Sequence, residues 1–279
     1  MIRIKISDFG PLRNGYTEND GWLDIRKVTV FTGNQGSGKS TVAKLISIFR
    51  WIEKALFRGD FDKKWFQQKN RFKNRFLTYH RIENYLTEET RISYQGDAYF
   101  IEYKNNLLHI EERKNKYELP QIMYVPSERN FISYVKTPKE LKLSSEALKE
   151  FLTEFENAKR ALKTAVRLPI NETDLEYDRL NDTINLKNKN FKIKLSESSS
   201  GFQSLVPLFL VMNYLSSRIH DKKENSDSMS LEEVERFKKG IQDILDNENF
   251  TDEQRRAAVS VLSSKFNKTA FVHILEEPE

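Results

Sequence analysis

The chain has 279 residues, with 46 Lys and Arg against 41 Asp and Glu, a net charge of +5 and 38% hydrophobic residues. This length suits one large domain or two small ones, and the mildly basic balance permits nucleic-acid contact without requiring it. The sequence has no cysteine and only four scattered histidines, which excludes disulfides, thiolate sites and cysteine nucleophiles and argues against a histidine-built metal site. No apolar run reaches the ~18–20 residues of a membrane span, and the N-terminus lacks a signal-peptide core, so we expect a cytoplasmic protein without membrane contact.

The first 57 residues predict two strands, a glycine loop and a helix. "MIRIKISDFG" alternates apolar and polar residues as a strand does. "DIRKVTVFTG" predicts a second strand that becomes fully apolar at its end. A glycine-rich turn follows, and "STVAKLISIFRWIEKAL" then repeats apolar residues at helical spacing.

Residues 58–87 are basic and aromatic, and we predict helices here. Two interpretations remain open. The aromatic residues could pack inward in a helical insertion, or the interleaved cations and rings could form a nucleic-acid surface.

The remaining elements are predicted from hydrophobic periodicity and turn residues. Three or four strands are expected within 90–125. The later predictions are a helix over 138–166 with a Ser144/Ser145 cap, a hairpin within "DTINLKNKNFKIKLSESSSG", an apolar helix in "FQSLVPLFLVMNYLSSRI", short exposed helices with mobile connections in 221–256, and a short buried strand in "TAFVHILEEPE".

The glycine-rich turn matches the pattern GxxxxGK[ST], a phosphate-binding loop. Small residues let consecutive backbone N–H groups surround phosphate oxygens, and the helix that follows points its positive end at the anion. Lys39 should reach the β- and γ-phosphates, and the Ser40 hydroxyl should ligate Mg²⁺. The predicted phosphate-binding residues are Gly33, Asn34, Gln35, Gly36, Ser37, Gly38, Lys39, Ser40 and Thr41.

The last nine residues, "FVHILEEPE", supply the acids that such a loop requires. A buried strand beside the strand of the phosphate loop would present Glu276 to the metal ion. Glu277 could then act as general base toward the attacking water.

A third segment, "SESSSGFQSL", places serines and a glycine at the start of a long apolar helix. Serine hydroxyls and backbone N–H groups at a helix N-terminus form an anion site. One chain hardly needs two triphosphate sites, so this turn could cap the γ-phosphate bound by a second subunit. An ordinary serine N-cap is the alternative.

Together the three segments resemble an ABC-type ATPase head of the SMC/RecF/OLD-like group, the prokaryotic "predicted AAA ATPases". "GNQGSGKST" is similar to their Walker A motif, "ESSSGFQSL" to their signature motif and "HILEEPE" to their Walker B motif; "IRIKISDFGPL" is similar to their first strand. The resemblance implies an α/β fold, a P-loop NTPase of ABC-ATPase type with a mixed sheet core, an antiparallel β subdomain and helical insertions.

The resemblance also implies a domain plan and site roles. The chain would be a single head, divided into a lobe of 1–57 and 90–130, a helical insertion 58–89, a helical and hairpin region 131–195, and a segment 196–279 with the signature helix and Walker B. Glu276 would be the Mg²⁺ ligand, Glu277 the catalytic base and Lys39 a catalytic contact. The residues that would touch ATP across a dimer interface are Ser199, Ser200 and Gly201.

"MYVPSERN" is similar to a segment that follows a core strand near the nucleotide in this group. Such folds carry a glutamine loop there, and no glutamine follows this strand. The nearest polar candidates are Ser127, Glu128 and Arg129. The group also continues past Walker B into a D-loop and a switch histidine, a role that His273 cannot fill because it precedes the glutamates. We therefore expect a head domain truncated after Walker B.

The expected function is Mg²⁺-dependent ATP binding and hydrolysis by a homodimeric switch that acts on DNA or a partner effector, in DNA repair or antiviral defence. We expect this activity once the C-terminal part is complete. The alternatives are a non-hydrolysing ATP-binding scaffold or sensor completed by another chain, and a transporter ATPase subunit. The double glutamate, the strand-rich 90–125 segment and the missing glutamine argue against the transporter. A P-loop kinase or GTPase is disfavoured because no Asn-Lys-x-Asp motif is present.

Overall fold

The computed structural model describes residues 1–135, 142–220, 231–247, 249–266 and 270–277. In these residues the chain has a mixed α/β architecture, as predicted. The helices are α1 Lys39–Arg58, α2 Lys63–Phe66, α3 Glu146–Ala161, α4 Ser200–His220, α5 Leu231–Leu245 and α6 Asp252–Phe266.

The strands build three sheets. Their bounds are β1 Ile2–Phe9, β2 Trp22–Ile25, β3 Leu86–Gln95, β4 Tyr99–Lys104, β5 Leu107–Glu112, β6 Pro120–Val125, β7 Val166–Arg167, β8 Asp174–Asp178, β9 Thr183–Lys187, β10 Lys192–Lys194 and β11 Ala270–Leu275. The chain divides into two compact units. Unit 1 contains Met1–Ile122 and Arg218–Val272, and unit 2 contains Met123–Ser217 and His273–Glu279.

Unit 1 is built on a five-stranded antiparallel sheet with the order β2-β1-β3-β4-β5. Helix α1 contributes Phe49, whose ring stacks on Tyr94 of β3 at 5.4 Å between centroids. Glu53, on the same helix, is fully buried and accepts hydrogen bonds from the Tyr94 hydroxyl at 2.8 Å and from the Ala98 amide at 2.7 Å. These contacts fix α1, and therefore the loop before it, against the sheet.

The predicted strand "DIRKVTVFTG" is wrong beyond Ile25. Strand β2 ends at Ile25, which lies opposite Ile2, the first residue of β1. The ladder therefore has no partner residue for the chain that follows, and residues 26–36 form no strand. Val28 and Val30 are 79% and 76% exposed instead of buried.

The basic segment contains only short helical pieces, which are α2, a π-helix over Phe72–Leu77 and a 3₁₀ turn over Glu83–Tyr85. Its aromatic residues pack inward, since Phe66, Phe72 and Phe76 are 1%, 3% and 7% exposed. The packing interpretation of these rings is thus confirmed, whereas nucleic-acid binding by the cations stays a prediction.

Unit 2 combines a four-stranded antiparallel sheet of order β10-β9-β8-β7 with helices α3 and α4. Its core includes Phe151 of α3, Leu175 and Leu186 of the sheet, and Val206 of α4, none of which is exposed to solvent. The predicted Ser145 cap is confirmed, because the Ser145 hydroxyl accepts from the Leu148 amide. The predicted hairpin is β9–β10, and the predicted apolar helix is α4.

Strands β6 and β11 form a two-stranded sheet. The Ala270 amide donates to the Leu119 oxygen, and the Glu276 amide donates to the Val125 oxygen. Between these two hydrogen bonds each strand advances six residues in the same direction, so the strands are parallel. The predicted C-terminal strand is confirmed as β11. It is only partly buried, because Ile274 is 9% exposed whereas Leu275 is 38% exposed. Parts of the predictions for 138–166, 221–256 and the C-terminus lie outside the described residues, namely 136–141, 221–230, 248, 267–269 and 278–279.

Candidate functional site

The predicted phosphate loop forms the entry to α1 in unit 1. Gly38 is the N-cap residue, with φ +95°, and it provides no side chain to cap the first turn. The first four N–H groups of a helix have no partner within the helix. The twenty-residue helix α1 therefore begins with donors and a positive dipole end directed toward the loop.

Two glycines of the loop have different reasons to be glycine. Gly36 has φ +76° and open space around the position of a Cβ atom. Gly38 also has a positive φ, and its Cβ would lie 2.7 Å from Leu12 Cδ2. Gly38 therefore permits a close approach between α1 and the Pro11–Leu12 turn, whereas Gly36 leaves one side of the loop open.

The side chain of Lys39 folds back over the loop. Its ammonium donates to the backbone oxygens of Gly33 at 2.9 Å and Asn34 at 2.8 Å. The Ser37 amide donates to the Asn34 oxygen at 3.2 Å and closes the turn. The Lys39 ammonium thus lies over the loop in which a phosphate group would bind.

The other loop residues divide by exposure. Asn34, Gln35 and Ser37 are exposed, while Ser40 is half-buried in the first turn of α1. Thr41 is 5% exposed, so its side chain lies in the interior of unit 1. Ser40 is therefore better placed than Thr41 to meet a ligand from solvent.

The two predicted acids lie at the end of β11 in unit 2. The Glu276 amide donates to the Val125 oxygen at 2.9 Å, which places Glu276 beside the end of β6. The Tyr124 hydroxyl of β6 donates to the Glu276 carboxylate. Glu277 is more open, with 68% of its side chain exposed. Burial lowers the pKa of His273, which lies earlier on β11.

Arg129 joins these acids to the helix that carries the serine turn. Its side chain is 1% exposed. One terminal nitrogen donates to the Glu276 backbone oxygen at 2.6 Å, and the other to the Glu277 carboxylate at 2.7 Å. The Nε donates to the oxygen of Ser204, the fifth residue of α4, at 3.2 Å. One buried guanidinium therefore bonds two elements of unit 2 at once.

The serine turn, residues 196–201, leads into the start of α4, and the side chain of Gln203 stabilises it through hydrogen bonds. The Gln203 amide nitrogen donates to the Ser196 oxygen at 3.2 Å and to the Ser198 oxygen at 2.9 Å. The Tyr134 hydroxyl donates to the side-chain amide oxygen of Gln203, and Gln203 is only 3% exposed. The residues that this scaffold leaves exposed at the helix N-terminus are Ser199, Ser200 and Gly201.

The resemblance implies a Mg²⁺ ion, which takes oxygen ligands. The described part of the chain has no group of three or more His, Cys, Asp or Glu that could hold a metal alone. Mg²⁺ usually keeps several waters and is bound by one or two protein oxygens together with substrate phosphates. The Ser40 hydroxyl and the Glu276 carboxylate are each oxygen donors of the chemical type that Mg²⁺ takes.

The sequence pointed to Arg129 but not to its role. It gave no role to the Tyr124 hydroxyl or to the Gln203 side chain, which stabilises the serine turn. A tyrosine inside an apolar strand gives no sign that its hydroxyl reaches a distant carboxylate. Gln203 carried a signal, because a buried amide three residues after a serine turn is well placed to satisfy the turn's carbonyl oxygens.

No helix in the described ranges combines the length and apolar character that crossing a membrane requires. Comparison with protein-family models and with curated proteins finds no match to this chain.

Proposed function

We propose that this protein is an ATP-binding and ATP-hydrolysing domain of the P-loop NTPase fold and ABC type. One observation carries the proposal. The GxxxxGK[ST] segment lies where an uncapped twenty-residue helix begins, with the Lys39 ammonium held over the loop. A triphosphate would meet backbone donors, a helix dipole and a lysine in one place.

The roles of the other residues follow from their chemistry. Ser40 and Glu276 would hold Mg²⁺, which supplies charge neutralisation on the phosphates. Glu277 would orient the attacking water and accept its proton. In a homodimer, the exposed serine turn of α4 would face the γ-phosphate on the partner subunit and make binding and dimerisation interdependent.

Two variants test this switch. Lys39→Ala should abolish ATP binding because it removes the cation from the loop. Glu277→Gln should bind ATP and remain as an ATP-bound dimer, since hydrolysis is blocked. Size-exclusion chromatography with light scattering, with and without Mg²⁺-ATP, measures the dimer. A Glu277→Gln protein that binds ATP and stays monomeric contradicts the dimeric switch.

A second candidate is an ATP-binding scaffold or sensor without hydrolysis. It is favoured by the ion pair between Glu277 and the buried Arg129, because the guanidinium occupies one of the two carboxylate oxygens that could meet an attacking water. Turnover well above that of Glu277→Gln would exclude this candidate.

We propose DNA as the macromolecular target of the switch, with a partner effector as the alternative. Between Asp62 and Glu83 the chain has seven Lys and Arg residues and no acid. Lys64, Lys69, Lys73 and Arg75 are exposed, and no ion pair joins them to an acid within the described ranges. An unneutralised cationic surface of this kind favours a phosphate backbone. DNA repair and antiviral defence are the processes that we propose for such a switch.

A further inference from the structure

Arg129 is almost completely buried, unlike an arginine in a surface salt bridge. Its side chain is 1% exposed, and a guanidinium is among the groups that are rarely buried without compensation. Four acceptors compensate it, and they are the backbone oxygens of Pro126, Ser204 and Glu276 and the carboxylate of Glu277.

The four acceptors belong to three separate parts of unit 2. Pro126 follows β6, Ser204 is the fifth residue of α4, and the glutamates follow β11. The planar guanidinium has fixed donor directions, so it sets the relative position of all three. Neither a lysine nor a neutral amide could reach the same set of acceptors with one rigid group.

The Glu277 carboxylate is otherwise open to solvent. Its side chain is 68% exposed, and Arg129 is the cation that the described residues place within ion-pair distance of it. An exposed glutamate has several rotamers of similar energy, whereas a base must hold one position relative to its water. The ion pair at 2.7 Å selects one of them.

We propose that Arg129 is a positioning residue, which holds the Glu276–Glu277 pair in place and links it to the N-terminal part of α4 at Ser204. The inference rests on the proposed ATPase function, because it gives Glu277 the role of base. Arg129 acts through Glu277 and through the end of β11. A displacement of α4 at the serine turn is thereby transmitted to the carboxylate through a single side chain.

Steady-state kinetics test this role with Arg129→Gln and Arg129→Lys, and with Arg167→Ala as the matched control. Arg167 lies in the same unit, and its side chain is 55% exposed in surface ion pairs. Arg129→Gln should lower kcat by about tenfold or more, while KM and the ATP dissociation constant stay within about twofold. Arg129→Lys should restore part of kcat, and Arg167→Ala should change none of these quantities.

A double-mutant cycle separates positioning from simple loss of structure. If Arg129 acts through Glu277, then Arg129→Gln should change the residual turnover of Glu277→Gln by less than about twofold. The same factor in both backgrounds, or an unchanged kcat in Arg129→Gln, would overturn the inference.

Hydrogen exchange measures the link without turnover, so it remains decisive if the buried variant is unstable or ATP is not hydrolysed. Glu277→Gln keeps the buried arginine but removes the ion pair. It should speed exchange of the Glu276 amide, which is bonded to the Val125 oxygen, whereas Arg167→Ala should not. Unchanged exchange would overturn the link. A wild-type chain that binds no ATP would instead contradict the proposed function and leave the exchange result to decide the link.

Discussion

The Lys39 ammonium lies 2.9 Å from the backbone oxygen of Gly33, at the opposite end of the phosphate loop. This hydrogen bond closes the loop on itself across six residues. A bound triphosphate would compete with the loop carbonyls for the same cation and would give it a stronger, charge-assisted partner. The loop is therefore arranged to exchange an internal hydrogen bond for a ligand.

The first prediction compares two glycines in that loop. Both have a positive φ, so Gly36→Ala should lower the free energy of unfolding by about 1 kcal/mol through backbone strain. Gly38→Ala adds a collision with Leu12 and should cost about 2–4 kcal/mol. Urea denaturation of the two variants measures the difference. Equal losses would show that the close approach at Gly38 contributes nothing.

The second prediction concerns a buried ion pair at the end of α1. Arg58 is 5% and Asp60 3% exposed at the side chain, and the Arg58 Nε donates to Asp60 at 2.9 Å; Glu233 of α5 is a second partner of Arg58. Asp60→Ala should lower the free energy of unfolding by about 3 kcal/mol, because it leaves a buried guanidinium short of a partner. Asp62→Ala is the control, since it removes only the cap on the Trp65 amide and should cost about 1 kcal/mol. A loss at Asp60 no larger than the loss at Asp62 would contradict the account.

The third prediction is a pH dependence that originates at His80. Burial, assisted by the charge of Lys44, lowers the pKa of His80 to about 3. The unfolded chain binds a proton near pH 6.5, and the folded chain does not, so stability is lost as pH falls from about 6.5 toward 3. The slope from this one group should approach about 1.4 kcal/mol per pH unit.

His80→Gln tests this origin, with the exposed His109→Gln as control. The His80 variant should lose about one proton of pH dependence between pH 6 and 4, measured by urea denaturation across that range. The His109 variant should keep the wild-type slope. A His80→Gln protein with an unchanged slope would assign the dependence to other groups.

The fourth prediction concerns the basic segment. Replacing Lys64, Lys69, Lys73 and Arg75 by Gln should weaken duplex DNA binding and reduce its salt slope by about 0.9 for each phosphate that the variant no longer neutralises. The matched control replaces four lysines that are paired with glutamates, namely Lys149, Lys187, Lys192 and Lys194. Fluorescence anisotropy between about 50 and 200 mM salt, a range over which such an affinity falls by orders of magnitude, gives both quantities. An unchanged salt slope would assign the segment to packing or to a protein partner.

Local pattern predicted most elements of this fold. The alternation of β1, the apolar spacing of α1 and α4, the Ser145 cap and the β9–β10 hairpin all depend on residues that lie close in sequence. Such signals survive without knowledge of the partner elements.

The predictions that were wrong or missing depend on residues that are distant in the sequence. "KVTVFTG" has high strand propensity, yet a strand needs a neighbour, and the register of β1 against β2 leaves none beyond Ile25. The roles of Arg129 and Tyr124 also depend on groups about 150 residues away in the chain. Sequence spacing cannot place such groups together, because only the pairing of β6 with β11 brings them into proximity.

The most direct test of the central claim is the affinity for a fluorescent ATP analogue in the presence of Mg²⁺, measured for wild type, Lys39→Ala and Lys64→Ala. The account predicts that wild type and Lys64→Ala bind alike, and that Lys39→Ala binds at least about a hundredfold more weakly, since the substitution removes a charge-assisted hydrogen bond to phosphate. Equal affinity of Lys39→Ala and wild type would contradict the claim that this loop binds the triphosphate.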